Sequence, residues 1–394
     1  MLVGLYPGCD HDTIQAAIDE LERRPSGSRD TLTILPGIYE ENVRVYRSDL
    51  RIVGIGEVVI RGRLSARQAA ADGQPLGTFG TPTLFLGGSR LAMENVTVEN
   101  AAGCGDLVGQ ALALYAHCDE TVFRHCVFLG YQDTLCTGPL PDASLAGTPF
   151  GGIPVREKRS ICRQLYIGCR IEGTVDYIFG GAMAVFERCR IHARKRSGGG
   201  SIYVTAASTP ACQAHGYVFR ECLLTAEEGA GPLYLGRPWR DAAKTDWVGC
   251  AYGARLHPDR WDDWEKPHAR ATVRYREFGC RSLLEPSAGQ LGNGLEDSSD
   301  KLTTDSSDTD GAYQLGSVGE RDSASRSIRV HERQPAFIGE MPPIGEPILG
   351  AKPDPREFPP AGGGFGLRSD RIPAGLEADE LFRDSDFLKR KGVG

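Results

Sequence analysis

No uninterrupted apolar run in this chain approaches the roughly 18 to 20 residues that a helix needs to cross a bilayer, so no transmembrane helix and no membrane partner are expected. Basic charge is not in excess either. The 394 residues carry a formal net charge of −7, and an acidic balance argues against a nucleic-acid partner, which calls for a basic face to neutralise phosphates. Among twelve cysteines no CxxC pair occurs. The one local group resembling metal ligands, Cys9 with Asp10, His11 and Asp12, reads as a turn plus a helix cap. No Gly-rich loop fits a phosphate cradle, so neither metal nor organic cofactor is expected. The opening MLVGLYPGCDHD lacks the basic start and longer apolar stretch of a signal peptide. The gene product therefore reads as cytoplasmic, or as secreted if the true N-terminus is missing, and cysteines spread through so long a chain do not suggest a disulfide framework. A monomer is expected.

What the chain does hold is enough apolar sequence for a core: 40% of residues are hydrophobic and 25% charged, the proportions of an ordinary globular protein. Its length fits two or three average domains or one elongated repeat domain. The segment Asp12 to Arg24, DTIQAAIDELERR, sets Ile14, Ala17, Ile18 and Leu21 on one face and predicts a short amphipathic helix with an acidic start and a basic end. From Thr31 to about Cys280, short β-rich runs follow one another between Gly, Asn and Asp, with no second helix of comparable quality.

Five of these runs are alike: LAMENVTVEN, TVFRHCVFLG, QLYIGCRIEG, AVFERCRIHA and YVFRECLLTA. Their anchors Asn95, Cys126, Cys169, Cys189 and Cys222 are 31, 43, 20 and 33 residues apart. Such uneven steps fit a solenoid whose coils share a minimal turn and carry loops of different length. The expected fold class is all-β, a single-stranded parallel β-helix. Its anchors would stack as an interior ladder of small side chains, and the N-terminal helix would cap the open end. Residues 290–327 read as a disordered Ser/Asp-rich linker and 328–394 as a low-complexity, Pro/Gly-rich tail with one short helix, leaving the chemistry to residues 1–289.

Charged or amide residues interrupt the β-rich sequence in GQALALY (Gly109 to Tyr115), GYQDTL (Gly130 to Leu135), VDYIFGGA (Val175 to Ala182) and YLGRPW (Tyr234 to Trp239). In a solenoid, residues far apart in sequence become neighbours on adjacent coils, so Gln110, Gln132, Asp133, Asp176 and Arg237 can meet on one face. The bland alternatives are a structural salt bridge between coils for Asp133, Asp176 and Arg237, and an interior amide ladder for the glutamines.

QALAL, GYQDTL, DYIFG and LGRPW, in that order, resemble the signature of the pectin methylesterase family. PGIYEENV (Pro36 to Val43), the TIQAAI helix and HPDRWDDW (His257 to Trp264) resemble further family segments, so the resemblance spans about Pro7 to Gly289. It implies a right-handed parallel β-helix with a long external groove, and removal of methyl esters from galacturonosyl units of pectin or methylated oligogalacturonides. By position, Asp176 resembles the nucleophile and Arg237 the cation that holds it and lowers its pKa. Asp133 resembles the acid for departing methanol and then the base on water. Gln110 and Gln132 resemble the oxyanion donors. An ester hydrolase without a Ser or Cys nucleophile needs such a set. Trp239 and Phe179 are expected to stack on sugar rings, with core packing as the alternative for Phe179, and Thr83 in TPTLFL sits where the family has a substrate contact.

Two departures stand out. Asp133 and Asp176 are 43 residues apart, with TGPLPDASLAGTPFGGIPVREKRS inserted between them, a Gly- and Pro-rich stretch expected to form a wall or lid over the groove. The missing export signal sits awkwardly with a polymer that cannot enter a cell, and fits imported methylated oligosaccharides. Three other readings stay open: an esterase or thioesterase of this fold acting on a non-pectin ester, a polygalacturonase-like glycoside hydrolase, and a non-catalytic carbohydrate-binding β-helix.

Overall fold

The computed structural model describes residues 1–25, 29–144 and 146–284; the linker, the tail and the boundary drawn at residue 289 lie outside these. Each strand pairs in parallel with strands one coil earlier and one coil later, building sheets of ten, nine and seven strands among the described residues. The ten-stranded sheet runs from Leu2–Val3 to Arg274–Phe278, the nine-stranded from Gly37–Tyr39 to Arg281–Ser282, and the seven-stranded from Val43–Val45 to Leu233–Pro238. Wound in this order, they form a right-handed parallel β-helix.

Its interior is made of side chains that repeat from coil to coil. Phe123, Tyr166, Phe186, Phe219 and Trp247 occupy one register position and stack with centroids 4.6, 4.5, 4.6 and 4.1 Å apart. That separation is set by the strand spacing of about 4.8 Å, so each ring covers the next. Three residues after each ring comes a cysteine. The thiols of Cys126, Cys169, Cys189, Cys222 and Cys250 donate to the carbonyls of Met93, Phe123, Tyr166, Phe186 and Phe219, at 3.4, 3.6, 3.4, 3.2 and 3.4 Å. All twelve cysteines are unpaired.

The expected ladder needs one correction. Val127 pairs with Thr97, which sets Cys126 level with Val96 and His125 level with Asn95. Asn95 is therefore exposed, and Val96 fills its interior place. The corner it occupies requires left-handed backbone, with φ of 55° at Asn95, 50° at His125, 57° at Gly168, 49° at Arg188, 52° at Glu221 and 61° at Gly249. Asn and Gly adopt this conformation readily, whereas for other L-residues it costs roughly 1–2 kcal/mol. The similarity of LAMEN to the cysteine-bearing runs thus reflects the corner rather than the core.

The predicted helix forms over Ile14–Arg23, with Ile14, Ala17, Ile18 and Leu21 buried in the same hydrophobic cluster as the first coils. Its acidic start is not local. Thr13 is the N-cap without a side-chain bond, and the Ile14 and Gln15 N–H groups donate to the Glu41 carboxylate at 2.8 and 2.9 Å. Glu41 thus meets the positive end of the helix from a distance. In the cluster near Cys9, Asp10 accepts from the Leu2 N–H at 2.7 Å and His11 contacts Glu20 at 2.9 Å, which ties down the turn but does not cap the helix.

Phe186 sits between two other rings of the stack, so Phe186→Ala should lower unfolding stability by about 3–5 kcal/mol. Cys189→Leu should lower it by about 1–3 kcal/mol by overpacking. Urea unfolding of both variants measures this, and a harmless Cys189→Leu would refute the tightness of the thiol ladder.

Candidate active site

The site lies where strands of the seven-stranded sheet begin. Leu135 pairs with Ile178, so two residues earlier Asp133 and Asp176 stand level on adjacent coils. The Asp133 N–H donates to the Val175 carbonyl at 3.0 Å and the Leu135 N–H to the Tyr177 carbonyl at 2.9 Å, locking the two turns together. Both aspartates have left-handed backbone, φ 63° and 50°, which aspartate tolerates better than most residues. Such conformations cluster at functional sites.

Arg237 comes from two coils further on, one beyond Ala206. Its Nε donates to Asp176 Oδ1 at 2.8 Å and its Nη2 to Asp176 Oδ2 at 2.7 Å, the two-pronged geometry that suits a guanidinium. The Tyr203 and Trp264 ring centroids lie 3.9 and 3.8 Å from the Arg237 guanidinium carbon, so its plane is held by cation–π contact. Asp133 and Asp176 are both buried.

Burial pushes the Asp133 carboxyl well above the ordinary aspartate range, and the neighbouring Asp176 charge pushes it further against the pull of Arg237. Asp176 is also raised by burial, opposed by the hydrogen bond and charge of Arg237. Arg237 does pull the Asp176 pKa down, as expected, but burial acts against it and the net shift is upward. What the arginine does is separate the two carboxyls, leaving Asp133 the more reluctant to ionise.

Gln110 and Gln132 are half-buried, not stacked in the interior. The Ala111 N–H donates to the Gln132 carbonyl at 3.2 Å, which sets the two glutamines beside each other on neighbouring coils. Gln132 lies against Gly105 of the short helix Gly105–Val108, where a β-carbon would sit 2.5 Å from the Gln132 Cβ. Asp106 anchors this helix. It accepts from Arg196 Nε and Nη2 at 3.2 and 2.7 Å and from the Gly198 N–H at 3.1 Å, contacts that bring its pKa down to about 2, Arg196 first. A carboxylate fixed by arginine, a second carboxyl that favours its proton and two nearby amides form a set able to attack an acyl carbon and protonate a leaving group.

Other expectations fare differently. Thr83 is fully buried and its hydroxyl donates to the Glu99 carbonyl at 3.0 Å, so it is a packing residue that does not face the groove. Phe179 is buried between Phe79 and Trp239, 6.3 and 5.6 Å away, in a cluster separate from the interior core of the coils. Trp239 is half-buried at the rim. Tyr203 and Trp264 were not singled out from the sequence. Trp264 lies in HPDRWDDW, but only the coil register brings either ring to Arg237.

The Pectinesterase family profile matches residues 1–139 and 159–285, and the chain belongs to that family. It is 32% identical over 291 residues to "Probable pectinesterase/pectinesterase inhibitor 64" of Arabidopsis thaliana, covering 68% of this chain and 43% of that protein. It is 31% identical over 274 residues to "Pectinesterase 2" of Citrus sinensis, covering 68% and 48%. The chain thus spans less than half the length of these two curated relatives. Among solved structures, carrot pectin methylesterase superposes with a TM-score of 0.59 at 28% identity, over 74% of this chain and 85% of that one.

Gly105→Ala should displace Gln132 and lower kcat for the ester hydrolysis proposed below by about tenfold or more, from misplacement of a donor worth 10²–10³-fold when lost. The KM should change little. Steady-state kinetics on a folded variant measures it, and an unchanged kcat would remove Gln132 from the chemistry.

Proposed function

We propose that this chain hydrolyses methyl esters of galacturonosyl units in pectin or methylated oligogalacturonides, releasing methanol. The observation that carries this reading is the Asp176–Arg237 fork beside Asp133, a like carboxyl one coil away with a greater hold on its proton. Family membership and the likeness to an enzyme named as a pectin methylesterase support it.

In this mechanism an Asp176 oxygen attacks the ester carbonyl carbon, and the carbonyl oxygen becomes an oxyanion that accepts from Gln110 and Gln132. As the C–O bond to the methoxy group breaks, Asp133 gives its proton to the departing oxygen and methanol leaves. The acyl group now joins Asp176 as a mixed anhydride. Asp133, ionised, takes a proton from water, whose oxygen attacks the substrate carbonyl of the anhydride. Asp176 leaves as carboxylate, Asp133 is again protonated, and the sum is ester plus water giving acid plus methanol. Arg237 remains paired with Asp176 and returns it to its ionised resting form.

The test is to measure methanol and new reducing ends together on highly methylated pectin and on short methylated oligogalacturonides. Methanol without reducing ends, abolished in Asp176→Asn, is the expected result. Reducing ends without methanol would indicate glycosidic cleavage, and neither product would point to another ester or to a binding module.

The kcat/KM profile should be bell-shaped, since the resting enzyme needs Asp176 ionised and Asp133 protonated. Arg237→Gln removes the charge that favours the Asp176 carboxylate, so its acidic limb should move to higher pH, with kcat reduced. Stability carries the opposite sign from the usual aspartate. With its folded pKa above the unfolded one, Asp133 binds its proton more tightly in the folded chain, and stability falls as pH rises from the ordinary aspartate value through the folded one. Asp133→Asn should therefore raise the melting temperature at neutral pH while removing activity. A melting temperature that is lower at neutral pH would contradict the raised pKa.

A further inference from the structure

Residues 140–158 fall in the gap of the family match. They leave the coil just after the strand Leu135–Thr137, next to Asp133. The outer face of the seven-stranded sheet stacks Phe85, Tyr115, Cys136, Phe179 and Ala206. An outer face of a solenoid meets solvent unless something covers it, yet these five are 0, 1, 0, 4 and 2% exposed. They belong to a second hydrophobic cluster with Phe79 and Ile153, against which Phe150 and Trp239 pack.

The cover is built into the molecule. Phe150 lies with its ring centroid 5.1 Å from that of Phe79 and 5.6 Å from that of Trp239. The Ile153 N–H donates to the Phe79 carbonyl at 3.0 Å. A β-carbon on Gly152, whose φ is 82°, would fall 2.3 Å from the Phe79 carbonyl carbon, so this backbone is pressed onto its support. The Tyr46 hydroxyl donates to the Pro154 carbonyl at 2.9 Å, and Arg156 lies 3.5 Å above the Tyr46 ring. The segment thus extends from the aspartates toward the N-terminal coils. On the opposite side of the site, beyond Arg237, a cleft of about 470 Å³ remains, lined by Tyr234, Pro238, Trp261 and Tyr275 among others.

A polymer held across Asp133 and Asp176 must leave the site in both directions, and the face toward the earlier coils is filled with aromatic and aliphatic side chains. We propose that the stretch 150–156 closes the groove on that side, so that the site takes the methyl ester at the end of a short methylated galacturonate chain, with Phe150 setting the limit. This rests on the proposed function and narrows its substrate.

The experiment compares fully methyl-esterified trigalacturonate, fully methyl-esterified hexagalacturonate and highly methylated pectin, following methanol and locating each lost ester by mass spectrometry. For the wild-type chain, kcat/KM per ester should be at least tenfold higher on the trimer than on pectin. The hexamer should lose a terminal ester before any internal one. Phe150→Ala should raise the pectin-to-trimer ratio about tenfold. The positional result on the wild-type chain needs no variant, so it stands if Phe150→Ala loosens the fold. Equal loss of internal and terminal esters, or pectin turned over as fast as trimer, would overturn the inference while leaving the proposed function intact. An unchanged ratio in a folded Phe150→Ala would overturn the role of Phe150, and no methanol from any of the three would overturn both readings.

Discussion

Everything in this chain depends on coils repeating the same path closely enough for like positions to coincide. The ring stack from Phe123 to Trp247 and the thiols donating to the preceding coil's carbonyls enforce that repetition from inside. A ring stacks only at the strand spacing, and a thiol reaches the carbonyl only if the corner before it has turned. This explains why His125, Arg188 and Glu221 accept left-handed backbone. The corner is a requirement of the stack, and each side chain bears its local cost because the coils on either side fix it.

The same repetition makes the site. Asp133 and Asp176 are the same position on consecutive coils, so the fold brings two carboxyls together without any local motif, and their difference must come from what surrounds each. Arg237 reaches back two coils to one of them and not the other. It is itself gripped by Tyr203, on the coil between it and Asp176, and by Trp264, further along the chain. Two chemically identical groups acquire different affinities for a proton because one partner is placed asymmetrically along the axis.

Much of the fold was legible because the interior uses distinctive residues. Cysteines at the end of β-rich runs announced the coil, and the four polar segments announced the site. What was illegible depended on register. Asn95 was aligned with cysteines by likeness of sequence, when pairing shows it one position away, at the corner. Thr83 sits inside a coil rather than facing the groove, a distinction that one-residue alternation controls and that uneven loop lengths conceal. Tyr203 carries no sign of its own and matters only because the coil after Asp176 sets it beside Arg237. The pull of Arg237 on Asp176 was legible because a charge partner is visible in sequence, and the opposing effect of burial was not.

The inserted segment has a consequence for the molecule as a physical object. Coils of a solenoid interact only with their neighbours, so such proteins can fray from either end. Here one stretch of chain ties Glu22 of the N-terminal helix and Tyr46 of an early coil to Phe79, and through Ala143 and Phe150 reaches Arg240 and Trp239 of a late one. A strap across so many coils adds contacts between coils that are not neighbours, which a bare one-dimensional stack does not have. The coils on either side of the aspartates are thereby joined through the strap as well as through their immediate neighbours.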